Sequence, residues 1–257
     1  MDQQGLVTTN NQSISFYAIT HTGMVREVNE DSYLALPSSA VFCVADGMGG
    51  YEAGEVASGS VVQSVERFYA TASDSTKTLP GDLSGDMLAA HPLLGSVQFA
   101  HDQLQKKMHD KRMGATFAAV QFEEGGVAVC HVGDSRVYLF HHGTLIQLTT
   151  DHSVVGAMVE KGTISAEQAK THPSRNAILQ AVGFSPEIKP DLHHFGVRSQ
   201  DTLLICSDGL TSMVNDEQIA ATLRTDRRLP ERGQRLLEQA NQAGGKDNIT
   251  LILLDIN

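Results

Sequence analysis

The apolar runs along this chain are short, and the most informative of them stop or start on an acid. VFCVADGMGG at 41–50 is unbroken apolar sequence until Asp46, and a glycine loop follows. TLLICSDG at 202–209 runs the same way into Asp208, and VAVCHVGD at 127–134 into Asp134. Two further runs begin on an acid: Asp31 opens YLAL at 33–36, and Asp247 opens ITLILL at 249–254. Runs of this length, bounded by Gly, Pro, Asn and Asp, read as buried strands.

In chain order, the pattern predicts a polar, flexible N-terminus over 1–12 and a strand at 15–20. A polar loop at 21–31 carries a single arginine, Arg26. Strands at 32–36 and 41–45 form a hairpin about Pro37, Ser38 and Ser39. Ala57, Val61, Val65, Phe68 and Ala72 recur at spacings of four and three, predicting a helix over 52–72 with one apolar face. A surface loop is expected at 73–86. A second helix follows over 86–110, its charged end at 105–112 reading as a solvated face. Dense short strands at 114–140, divided by tight glycine turns, predict a meander. The stretch 151–182 is polar and mostly helical in pattern. It reads as a flap-like excursion from the sheet, mobile enough to touch a substrate. Strands are expected at 189–195 and 201–206, helices at 209–223 and 231–243, and a last strand from 249. No linker or repeat divides the chain, so 1–257 reads as one α+β domain. Its two antiparallel sheets pack face to face, with helices covering the outside.

Composition narrows the class. The chain has 257 residues and a formal net charge of −11. That disfavours a nucleic-acid binder, which needs a basic face, and a polybasic membrane-surface protein. The three cysteines, Cys43, Cys130 and Cys206, each lie inside an apolar run, and no Cys-x-x-Cys occurs. They read as small buried core residues in a reducing compartment. No run reaches the roughly 18 apolar residues of a membrane span, and MDQQGLVTTNNQS is no secretory leader. A cytoplasmic protein without a membrane span is expected.

The acids carry the chemistry. In an antiparallel sheet the end of one strand lies beside the start of its neighbour. Asp31, Asp46, Asp134, Asp208 and Asp247 can therefore converge on one end of the sheets. Such a cluster cannot stay charged without a partner. Hard cations with oxygen ligands, Mg²⁺ or Mn²⁺, suit it, and the glycines after Asp46 let backbone oxygens approach closely.

With these residues in view, the chain resembles a bacterial member of the metal-dependent protein phosphatase family, the type 2C Ser/Thr phosphatases. The resemblance rests on GMVR at 23–26 with NED at 29–31, VADGMGG at 44–50, GAT at 114–116, HVGDSR at 131–136, CSDGL at 206–210 and KDNIT at 246–250. It implies a four-layer α-β-β-α sandwich with two Mn²⁺ or Mg²⁺ ions at one end of the sheets. By resemblance Asp46 bridges both ions and Gly47 offers its carbonyl to one, while Asp208 and Asp247 bind the other. Glu30 and Asp31 match the family's acidic pair, supporting an ion directly or through water. Asp134 matches the position that holds a third, weaker ion with Asp208, and Arg26 the phosphate-binding arginine. Arg136 is taken as structural and Asn248 as a supporting hydrogen-bonder. Many eukaryotic members have a histidine where this chain has Met48, and a thioether cannot donate a proton. The acid for the leaving group is then a water, with His172 as a weaker candidate. Ala115 also stands where a threonine or serine is usual.

The expected activity is hydrolysis of phosphoserine and phosphothreonine on proteins by a metal-activated water, opposing a bacterial Ser/Thr kinase. The alternative is a pseudophosphatase, a phosphoprotein-binding module; loss of a metal acid would signal it, and none is lost. A partner-switching phosphatase would carry a sensory domain for which the chain has no room. An unrelated two-metal esterase or nuclease sits badly with the acidic charge and the full motif order.

Overall fold

The computed structural model describes residues 2–9, 12–49, 53–72, 91–107 and 113–257. Twelve strands are present among them. β1 (Asp2–Thr8), β2 (Ser13–His21), β3 (Asp31–Leu36) and β4 (Val41–Gly49) precede helix α1 (Ala53–Ala72) and helix α2 (Pro92–Lys107). Then come β5 (Met113–Ala115), β6 (Phe117–Glu123), β7 (Gly126–Val132), β8 (Arg136–His141) and β9 (Thr144–Gln147). Short helices α3 (Val154–Glu160) and α4 (Ala166–Lys170) lead to β10 (Asp191–Phe195) and β11 (Thr202–Cys206). Helices α5 (Asp208–Thr211), α6 (Asp216–Leu223) and α7 (Leu229–Gln242) precede β12 (Ile249–Ile256).

One sheet has the order β1-β2-β12-β11-β8-β9, the other β10-β7-β6-β4-β3, with β5 pairing β4. All pairings between these strands are antiparallel. The core divides into three layers, and strand parity decides which residue joins which. Phe42 and Val44 pack between the sheets with Val129, Leu203 and Ile252. Cys43 and Ala45, one residue out of phase, pack under α1 and α2 against Val61, Val65 and Val97. Leu204 and Leu253 face Leu223, Leu236 and Leu237 of α6 and α7. Helix, sheet, sheet, helix is thus the order of layers. The central strands are buried on both faces, which is why their sequences do not alternate with polar residues. All three cysteines are free and buried. Among the described residues no helix is long and apolar enough to cross a membrane.

Several expectations need correction. Residues 2–8 are not frayed; they pair along their length with β2, from Asp2 opposite Ile19 to Thr8 opposite Ser13. Only Val7 of this strand is buried, so an exposed edge strand resembles a polar tail in sequence. The meander breaks at Gly133 and Asp134. β6 and β7 lie in one sheet and β8 in the other, because the turn with Gly133 at φ +104 carries the chain across the gap. The 151–182 stretch is helical only in α3 and α4; an antiparallel bridge from Ser153 to Ile178 closes its two ends on each other, and a second, Ala115 to Val182, ties it to the body. The 209–223 helix is two, because Asn215 caps α6 in a capping box with Gln218. The 73–86 loop, both ends of the 86–110 helix, most of its charged stretch, Gly50 and Glu52 lie outside the described residues.

Candidate functional site

The inter-sheet parity that buries Phe42 and Val44 runs on to Asp46, and Asp31 stands directly opposite it across the β3–β4 pair. The same count carries Leu203 and Ile205 on to Ser207, and Ile252 back to Thr250. Two carboxylates and two hydroxyls are thereby delivered to one end of the gap between the sheets. Asp208 follows Ser207 at the start of α5, and Asp247 stands just before β12.

Hydrogen bonds lock these strand ends. Ser207 Oγ donates to Asp31 Oδ2 at 2.7 Å and accepts from the Thr250 amide at 3.0 Å. Thr116 holds the Asp46 backbone from both sides: its Oγ1 accepts from the Asp46 amide at 2.9 Å, and its amide donates to the Asp46 carbonyl at 2.8 Å. Asn248 ties the 22–30 loop to β12. Its Nδ2 donates to the carbonyls of Thr22 and Val28, each at 2.9 Å, and its Oδ1 accepts from the Glu30 amide at 2.8 Å. The Glu30 carbonyl accepts from the Gly47 amide at 3.0 Å. A Cβ at 47 would overlap the carbonyl oxygens of Gly54 and Glu30, so only glycine fits this approach.

The electrostatics are those of anions lacking a counter-ion. Burial, then the charges of Asp31, Asp208, Asp134 and Asp247, pushes Asp46 well above the carboxylate range. Asp31 is pushed up to about 7 by burial, against the Ser207 and Thr250 hydrogen bonds and with help from Asp208 and Asp247. Asp134 also rises to about 7, through burial and then Asp208 and Asp151. Asp208 is raised by burial and by Asp247, opposed by its contact with Asp46 and by Arg136. Asp31 Oδ1 is buried with no hydrogen-bond partner. An orphaned carboxylate oxygen beside further acids could accept a hard divalent cation, and the all-oxygen donor set fits Mg²⁺ or Mn²⁺.

Arg26 reaches the rim of this cluster. Its Nη2 donates to Asp247 Oδ2 at 2.8 Å, and both side chains remain partly exposed. That hydrogen bond raises the Arg26 pKa, against the effect of its own burial. Glu30 joins through its backbone, while its side chain lies against Gly54 at the start of α1. Met48 pairs with Gly114 of β5 and offers no proton. His172 Nδ1 is occupied locally, accepting from the Ser174 amide at 3.1 Å. Arg136 is a strut: its Nε and Nη2 fork onto Asp151 at 2.8 and 2.7 Å.

Sequence reasoning assigned no role to Ser207, Thr116 or Thr250. The signal that finds them is strand parity counted back from the apolar inter-sheet residues, which requires knowing the sheet.

The family model for Protein phosphatase 2C matches residues 24–253. Serine/threonine phosphatase stp of Listeria welshimeri is 35% identical over 245 residues, spanning 93% of this chain and 94% of that protein. PstP of Mycobacterium tuberculosis, a serine/threonine protein phosphatase, is 35% identical over 243 residues, spanning 95% of this chain and 45% of that longer protein. The crystal structure of M. tuberculosis PstP superposes with a TM-score of 0.81 at 34% identity, over 94% of this chain and 98% of that one. A PstP catalytic domain in complex with two manganese ions superposes with a TM-score of 0.79 at 33% identity, over 95% of this chain and 98% of that one. These relatives are named as phosphatases and lend nothing to the binding-module alternative.

Proposed function

The chain belongs to the protein phosphatase 2C family, and from that premise we propose that its acidic end hydrolyses phosphoserine and phosphothreonine on proteins. The observation that carries the reading is the gathering of Asp31, Asp46, Asp208 and Asp247 at one end of the sheets, close enough to shift one another's pKa, with Asp31 Oδ1 buried and unpartnered. In this proposal Asp46 and the Gly47 carbonyl would hold the cations. Asp208 and Asp247 would hold one ion, Glu30 and Asp31 would support an ion directly or through water, and Asp134 with Asp208 would hold a weaker third. Bound there, Mn²⁺ or Mg²⁺ supplies Lewis acidity and activates water near neutral pH.

The chain's own groups do the rest. Arg26 holds the phosphoryl oxygens; its link to Asp247 uses Nη2 and leaves donors of the fork free. Ser207 fixes the rotamer of Asp31, and Thr116 fixes the strand end bearing Asp46. With a methionine at 48 that cannot donate, the alkoxide leaving group takes its proton from water. Exposed Met24 and Val25 beside Arg26 give a protein segment apolar footing at the rim. The substrates are products of Ser/Thr kinases.

The test is hydrolysis of a phosphothreonine peptide with Mn²⁺, with Mg²⁺ and with EDTA, beside Asp208→Asn. Turnover that needs metal and is lost in the variant is expected; turnover surviving EDTA or the substitution would contradict the proposal.

A further inference from the structure

Two tight histidine–carboxylate clusters lie outside the acidic centre: His91, Glu123 and His194, and His131, His152 and Asp191. Their hydrogen bonds argue against a bound cation. His91 Nδ1 accepts from the Leu93 amide at 3.0 Å, so a neutral ring carries its proton on Nε2, facing Glu123. His152 Nδ1 accepts from the Gly133 amide at 3.2 Å and from Gln180 Nε2 at 2.8 Å, and its Nε2 donates to Asp191 Oδ2 at 3.1 Å. A backbone N–H can only donate, so each Nδ1 must supply the lone pair. A cation on Nε2 would require stripping the ring to an imidazolate. Both rings are hydrogen-bonding struts.

The second strut bears on the acidic centre. Both polar groups of the Gly133 backbone go to His152: the amide to Nδ1, and the carbonyl to the His152 amide at 2.8 Å. Gly133 sits at φ +104, immediately before Asp134. On the far side of Asp134, Arg136 forks onto Asp151. Asp151 and His152 thus grip the turn on both sides of Asp134. The His152 ring is itself fixed. It stacks on buried His131 with centroids 4.4 Å apart at 28°, and His131 Nε2 is anchored on the Thr150 carbonyl at 2.8 Å. Gln180 cannot flip, because Lys189 donates to its Oε1 at 2.8 Å and accepts from its Nε2 at 3.0 Å. The His152 carbonyl accepts from the Leu179 amide at 2.7 Å, so the far end of the 151–182 segment hangs on the same residue.

We propose that His152 is a positioning residue for Asp134, acting through its Nδ1 acceptor. This rests on the reading of Asp134 as a cation-holding acid.

The test is calorimetric titration of metal-stripped protein with Mn²⁺, with thermal melts in EDTA, for wild type, Asp134→Asn, His152→Asn and His152→Gln. Asparagine places an oxygen at the Nδ1 position; glutamine reaches the Nε2 position and leaves the Gly133 amide unmet. The Asp134-dependent site should keep its affinity within about twofold in H152N and lose about tenfold in H152Q, with the tighter sites unchanged. A purely structural role would lower the melting temperature and weaken every site together, and that result overturns the proposal. So does equal loss in H152N and H152Q; should H152Q not fold, weakened binding at that site in H152N alone overturns it. If D134N binds Mn²⁺ as wild type does, the reading of Asp134 fails and takes this proposal with it. If D134N loses a site that H152Q keeps, only the role of His152 fails.

Discussion

Ser207 joins both sheets at the acidic end, donating to Asp31 of β3 and accepting from Thr250 of β12. Ser207→Ala removes the Ser207 hydrogen bond to Asp31 Oδ2 without touching the packed layers. Mn²⁺ affinity should fall roughly 10- to 100-fold while the fold survives; a metal titration of activity checks it, and an unchanged half-saturating concentration would count against the role. Arg26→Ala should raise KM for a phosphopeptide, and Arg26→Lys should recover little, since an ammonium lacks the planar fork. The acids were legible in sequence because a carboxylate ending an apolar strand has a physical cost that demands a partner. Ser207, Thr116 and Asn248 were not assigned that way, because a hydroxyl or amide at a strand end is cheap. Their importance comes from neighbours over a hundred positions away in two of the three cases. His152 was legible only as a loop histidine, since its partners Gly133, Gln180 and Asp191 meet only in the folded chain.

Among the elements, the strongly periodic ones read true. α1 buries Ala57, Val61, Val65 and Phe68 as expected, while Ala72 in its last turn is exposed, and α7 buries Leu236, Leu237 and Ala240. β1 was missed because an edge strand with one buried side chain lacks a hydrophobic signature. The crossing at Gly133 was missed because β6, β7 and β8 look alike in sequence, and nothing local tells which sheet a strand joins. The 151–182 segment proves to have two parts: roots at Asp151 to Ser153 and Ile178 to Val182 that bond to the body, and a span between them. Exchanging residues 156–176 with a relative's should therefore alter preference among phosphoprotein substrates and leave aryl phosphate hydrolysis nearly unchanged. Parallel assays on both substrates check this, and equal loss of both would show that the span supports the centre itself.

For the whole molecule, the sandwich spends its stability on bringing acids together, and pH reports the cost. Folding raises Asp31 and Asp134 to about 7 and lifts Asp46 and Asp208 above their ordinary values. At these four acids the folded chain binds more protons than the unfolded one between about pH 4 and about pH 7, so they lower cation-free stability as pH rises through that window, outweighing the opposite effect of His101 and His131, whose pKa burial lowers. Cations compete with those protons, so stabilisation by Mn²⁺ must grow over the same window. Melting temperatures in EDTA and in Mn²⁺ across this range test both statements; an EDTA melting temperature that climbs with pH would contradict the first. The central claim is that the acids at the end of the inter-sheet gap hold a pair of divalent cations. The most direct measurement is anomalous diffraction from crystals grown with Mn²⁺. Two adjacent peaks sharing Asp46 are expected, one of them against Asp208 and Asp247. A map with manganese elsewhere, or none between these acids in protein that turns over phosphopeptide, would contradict it.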